Sequence, residues 1–124
     1  ANRDGLTDLA VTHQTEPAAL LVNHSSKEPH WVGFTLVGRE CERDAIGAVV
    51  RVTAGDETRT HFVTAGGGYM SSNERTIRVG LGDFQGTCQA EVIWPCGKTH
   101  RFKDLKVDTS WLLVQNDEAP FEMP

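Results

Sequence analysis

The feature that most narrows what this chain folds into is a period of two. Val32, Phe34 and Leu36 alternate with Gly33, Thr35 and Val37. Ile46, Ala48, Val50 and Val52 alternate with Gly47, Val49, Arg51 and Thr53. Ile77, Val79 and Leu81 alternate with Arg78 and Gly80, and Cys88, Ala90, Val92 and Trp94 with Gln89, Glu91 and Ile93. Side chains on an extended strand point to opposite faces in turn, so each run predicts a strand with one face against a core. Residues 20–22, 58–63, 98–102 and 111–115 are shorter candidates. No segment keeps helical apolar spacing over three turns.

Turn chemistry separates the runs. Gly55-Asp56 lies between two of them and reads as a hairpin turn. Gly66-Gly67-Gly68 supplies backbone freedom that side chains would deny. Pro95-Cys96-Gly97 divides Trp94 from the next run. At 124 residues the chain is one domain's worth. Seven to nine short strands at this spacing predict an all-β fold, an antiparallel β-sandwich of jelly-roll or immunoglobulin-like type. The acidic, proline-bearing stretch 116–124 reads as a flexible C-terminal tail.

Charge and hydropathy narrow the partners. The net charge is −5, and the 12 Lys and Arg residues never adjoin one another. Neutralising phosphates needs clustered cations, so neither nucleic acid nor an anionic membrane is expected as a partner. The longest apolar run, 18–22, is far too short to cross a bilayer. No basic-then-apolar leader opens the chain.

The cysteines, Cys41, Cys88 and Cys96, show no CxxC spacing and so no zinc or redox motif. Cys88 and Cys96 flank one strand, which holds them too far apart to bridge. A bridge, if one forms, includes Cys41. The expectation is three free thiols behaving as small apolar groups. The five histidines have no ligand spacing and are expected as scattered surface or satisfied side chains.

The first residues follow a different logic. Asn2, Asp4 and Asp8, with Gly5 at the bend and Leu9-Ala10-Val11 beyond, form an oxygen-rich loop running into a strand. Alternating oxygen ligands suit calcium. The spacing resembles the D-x-N-x-D-G-x-x-D loop of FG-GAP repeats, the blades of integrin-type propellers. The leading Asp of that pattern would precede Ala1, so the loop as it stands is incomplete and no bound calcium is expected. The resemblance implies a piece of a longer protein, with 1–17 the end of a propeller repeat and its linker.

From Asn23 onward the chain resembles the ASPIC and UnbV family. Trp31-Val32-Gly33-Phe34-Thr35-Leu36-Val37-Gly38 is similar to its opening strand. Arg43-Asp44-Ala45-Ile46-Gly47-Ala48-Val49-Val50 is similar to its N-R-x-A-I-G-A-x-V segment, with Glu42 in place of Asn. Gly68-Tyr69-Met70-Ser71-Ser72 resembles G-Y-x-S-Q, Val79-Gly80-Leu81-Gly82 resembles F-G-L-G, and Trp94-Pro95-Cys96-Gly97 resembles W-P-x-G. The resemblance implies a domain over 18–115 that serves as a C-terminal accessory module of a secreted or cell-surface propeller protein. It implies no catalytic assignment.

Candidate recognition residues are Arg43, Asp44, Gly68, Tyr69, Ser71 and Ser72. The 66–72 loop offers backbone N–H groups, hydroxyls and an aromatic plate, a mixture that binding loops use. Its bland reading has Tyr69 packing on the sandwich edge. Asp44 could orient Arg43 toward a ligand, whereas the bland reading has the pair capping a tight turn. Trp31, Trp94 and Trp111 are expected in the core, although exposed tryptophans would make a sugar platform. Nucleophile-elbow, Walker and zincin patterns are absent, so no enzyme is expected. The function expected is a non-catalytic interaction module making protein–protein or matrix contacts, alongside an upstream propeller that holds any calcium. The alternative is a carbohydrate-binding module using exposed aromatic residues.

Overall fold

A computed structural model describes residues 6–25, 29–70 and 72–123 of the chain. Ten strands run through them: β1 (Leu9–Val11), β2 (Ala19–Leu21), β3 (His30–Val37), β4 (Val49–Ala54), β5 (Glu57–Phe62), β6 (Ile77–Gly82), β7 (Thr87–Ile93), β8 (Thr99–Lys106), β9 (Thr109–Val114) and β10 (Phe121–Met123). β1 and β2 pair with each other. The rest form two four-stranded sheets, ordered β10-β9-β3-β6 and β5-β4-β7-β8. The predicted β-sandwich is the architecture observed.

The core follows from the period of two. Val32, Phe34, Leu36, Ile77, Val79, Leu81 and Leu113 face inward from the first large sheet. Val50, Val52, Ala90, Val92, Phe102 and Leu105 face them from the second. Outward positions on the second sheet carry charge in cross-strand register. Arg51 lies opposite Glu91, and Glu91 opposite Arg101. Both guanidiniums bond the carboxylate, at 3.3 and 2.8 Å. The Arg101 hydrogen bond foremost, with Arg51 behind it, holds Glu91 below the usual carboxylate range. Exposed pairs of this kind add little energy, but they keep the outer face polar.

Four expectations need correction. One pairing is parallel, β3 with β9: between them the chain makes all four strands of the second sheet and β6 of the first, and a connection of that length permits parallel neighbours. β4 begins at Val49, not at Ile46, because Ala45 and Gly47 take positive φ values of 52° and 89°. The described part of the expected tail, 116–123, is not free: Phe121, Glu122 and Met123 pair with Leu112, Trp111 and Ser110. They satisfy backbone groups that the edge of β9 would otherwise expose. Trp31 is not a core residue either. Its parity places it with Gly33 and Thr35 on the outer face, half-buried, while Trp94 and Trp111 are buried as expected.

Leu113, fully buried between the sheets, measures the core: Leu113→Ala is expected to lower unfolding free energy by about 3 kcal/mol in a denaturant titration.

Candidate functional site

The loop between β3 and β4 carries Arg43 and Asp44. Ala45 and Ala48 bury its later half in the core, and Gln115 anchors its start. This side chain follows Trp111 and Leu113 on the inward parity of β9 and is 0 % exposed. Its Oε1 accepts the backbone N–H groups of Arg39, Glu40 and Cys41 at 2.9, 2.9 and 3.3 Å. Its Nε2 lies 3.2 Å from Sγ of both Cys41 and Cys96. Those two cysteines are bridged, with Cα atoms 5.8 Å apart. The expectation of three free thiols is therefore overturned. Cys41 is a partner, as strand geometry required, and Cys88 is the buried thiol left over, with burial pushing its pKa up. The sequence hid the bridge because its halves sit 55 residues apart and meet only when the sheets stack. Closing a loop of this length stabilises by about 4 kcal/mol in the chain-entropy account.

Beside the bridge, Lys98 pairs with Glu40, and that hydrogen bond, followed by one from Asn116, lowers the Glu40 pKa. A lowered folded-state pKa means that the contribution is present at neutral pH and fades as pH falls through the carboxylate range.

Past the bridge the chain turns sharply. Gly38 donates its N–H to the Arg43 carbonyl at 2.9 Å, and a Cβ at Gly38 would lie 2.3 Å from the Glu42 carbonyl oxygen. Only glycine fits there. The cap of this turn is Glu42, which the sequence reading passed over: its carboxylate oxygens accept the N–H groups of Asp44 and Ile46 at 3.1 Å each. Asp44 neither caps the turn nor orients Arg43; it is ion-paired with Arg75, on the segment leading into β6. The Arg43 guanidinium has no acceptor among the described residues and is exposed.

Arg43, Asp44 and Ser72 line one open groove of about 490 Å³, with Thr35, Asn73 and Arg75. A smaller hollow of about 260 Å³ adjoins it, lined by His61, Phe62, Gly66, Gly67 and part of the same 73–78 segment. The His61 Nε2 is buried without a partner among the described residues. Tyr69 and Met70 stand out from this loop, 94 % and 90 % exposed. The expectation that Tyr69 packs on the sandwich edge fails, since its ring stands in water. Gly68 shares the loop without lining the groove, and Ser71 lies outside the described residues.

Of the residues read as an incomplete calcium loop, only Asp8 is among those described. Asn2 and Asp4 lie outside the described residues. Asp8 accepts the Asn23 N–H at 2.9 Å and so helps close the β1–β2 hairpin. Among the described residues no three His, Cys, Asp or Glu side chains gather as metal ligands. The histidines are dispersed: His30 pairs with Asp108 at 2.6 Å, and His100 accepts the Asn116 N–H at 3.3 Å.

Two sheets clasped by a buried amide and a disulfide, with polar groups gathered on connecting loops, define a β-sandwich module whose chemistry lies in its loops. A model of the ASPIC and UnbV family matches residues 38–120, and the chain belongs to that family. The match opens at Gly38 and runs through the turn, the groove and the bridge. Comparison with curated proteins and comparison with solved structures returned no match.

Two outcomes test this arrangement. Thiol titration in denaturant is expected to find one free thiol, rising to three after reduction. Gln115→Leu leaves three backbone N–H groups without their acceptor, so an urea titration is expected to show a loss of about 3 kcal/mol.

Proposed function

We propose that this chain is a non-catalytic recognition module of a longer secreted or cell-surface protein, binding a protein or matrix partner through the Arg43–Ser72 groove and the Tyr69 loop. One observation carries the reading: an aromatic and a thioether side chain, Tyr69 and Met70, stand almost wholly in water beside an open groove. Water-exposed apolar side chains next to adaptable backbone and a free guanidinium are what interface centres use. The groove holds two engaged carboxylates, Asp44 and Glu74, one free guanidinium and hydroxyls, which suits binding more than bond making. The Cys41–Cys96 bridge supports an oxidising compartment. The resemblance of residues 2–11 to an FG-GAP loop supports an upstream propeller in the same chain, with calcium held there rather than in this domain.

The test is a biolayer binding screen of the domain against purified extracellular-matrix proteins. Saturable binding to at least one is expected, weakened about tenfold or more by Tyr69→Ala and by Arg43→Glu at unchanged melting temperature. No binder, or binding indifferent to both substitutions, overturns the reading.

A further inference from the structure

The outer face of the β10-β9-β3-β6 sheet has a hollow at its centre, which meets the groove at Glu74. The cause is Gly33, in the middle of the central strand β3. Its neighbours in register are Arg78 on β6 and Ser110 on β9, and Ser110 in turn faces Met123 on β10. Three side chains flank a position that has none. A glycine inside a strand often marks close approach by a ligand or another chain. Here the missing side chain lets the Trp31 ring fold inward: a Cβ at Gly33 would lie 3.3 Å from that ring and 2.9 Å from Ser110 Oγ. The result is a cavity of about 420 Å³ walled by Trp31, Thr76, Arg78, Ser110, Glu122 and Met123.

Its polar groups come in both senses. The Arg78 guanidinium sits 5.3 Å from the centre of the Trp31 ring, with no carboxylate partner among the described residues. The Trp31 indole N–H is likewise without an acceptor among them. The Ser110 hydroxyl, on the same outward parity as Gly33, both donates and accepts, whereas Glu122 lies opposite the inward-facing Trp111 and lines the hollow without that parity. Two further carboxylates line the cavity but are already engaged: Asp108 by His30 and by the Trp31 backbone N–H, and Glu74 by the Thr76 hydroxyl at 3.0 Å. One cation with two engaged carboxylates leaves the lining net negative, which repels a polyanion. An uncharged polyhydroxyl ligand escapes that objection and suits the mixed donors and acceptors. Its hydroxyls both donate and accept, and the C–H face of a sugar ring packs on an indole.

We propose that this hollow binds a neutral saccharide, with Trp31 as the apolar wall, Arg78 and the indole N–H as donors, and the Ser110 hydroxyl as acceptor. Trp31, Arg78 and Ser110 lie outside the loop that carries Tyr69, so the two surfaces are separable by substitution.

The experiment screens the intact domain on an array of neutral and sulfated oligosaccharides, then titrates the best neutral ligand by calorimetry. Saturable binding is expected. Trp31→Ala and Arg78→Ala should each weaken it about tenfold or more, a typical loss for a buried aromatic anchor or a charged donor. Tyr69→Ala should leave it unchanged. Arg78 is exposed on a strand face, so its substitution is expected to keep the fold, checked by an unchanged melting curve. Gly33→Ala, which pushes the Trp31 ring outward, should also weaken binding. Absence of any neutral ligand overturns the proposal, and so does binding insensitive to both Trp31→Ala and Arg78→Ala. A response confined to sulfated glycans and lost at physiological salt overturns it as well. None of these failures touches the groove, which the matrix-protein screen reads independently.

Discussion

Burial of two apolar sheet faces against each other is the constraint from which the rest of this molecule follows. Phe34 and Leu113 on one side, Val92 and Leu105 on the other, leave water together, and that transfer is the dominant favourable term in folding. Strand position, register and loop direction are then set by which parity must point inward. A one-residue slip would send a whole apolar set into solvent, so the outer faces inherit their residues as strictly as the core does. The Arg51–Glu91–Arg101 ladder and the Gly33 hollow are both products of outward parity.

The sandwich alone does not position the groove. Between β3 and β4 the chain leaves the sheet, and its backbone donors need acceptors that no ladder supplies. The single Gln115 Oε1 accepts three of them from inside the fold, and the Cys41–Cys96 bridge ties the same loop to the turn between β7 and β8. Glu42 then folds the next residues around its carboxylate. Only after these three restraints does Asp44 come within reach of Arg75 and leave the Arg43 guanidinium free at the groove. Recognition chemistry on this module is therefore held by polar groups whose own role is structural.

The two surfaces differ in kind. The Tyr69 loop projects, is glycine-hinged and stands in water, so ordering it costs conformational entropy on binding. The Trp31 hollow is set into a paired central strand, where the backbone is already ordered. A protein surface can mould to the first, while the second offers a small ligand a ready-made shape.

Much of the fold was legible from residues in order. Alternation located β3, β4, β6 and β7 to within a few residues, Gly55-Asp56 marked a hairpin, and the ASPIC and UnbV segments appeared before any coordinates. Even Gln115 left a trace, as a polar residue on the inward parity of Trp111 and Leu113. What the order of residues could not supply was proximity. The bridge across 55 residues, the Asp44–Arg75 pair, the parallel β3–β9 register and the docking of β10 all join segments distant along the chain. Local side-chain pattern decides which face of a strand is apolar, because alternation is a property of the extended backbone itself. Which strands become neighbours, and hence which polar groups meet, is decided only when the sheets stack, because those contacts depend on the packing of the whole core.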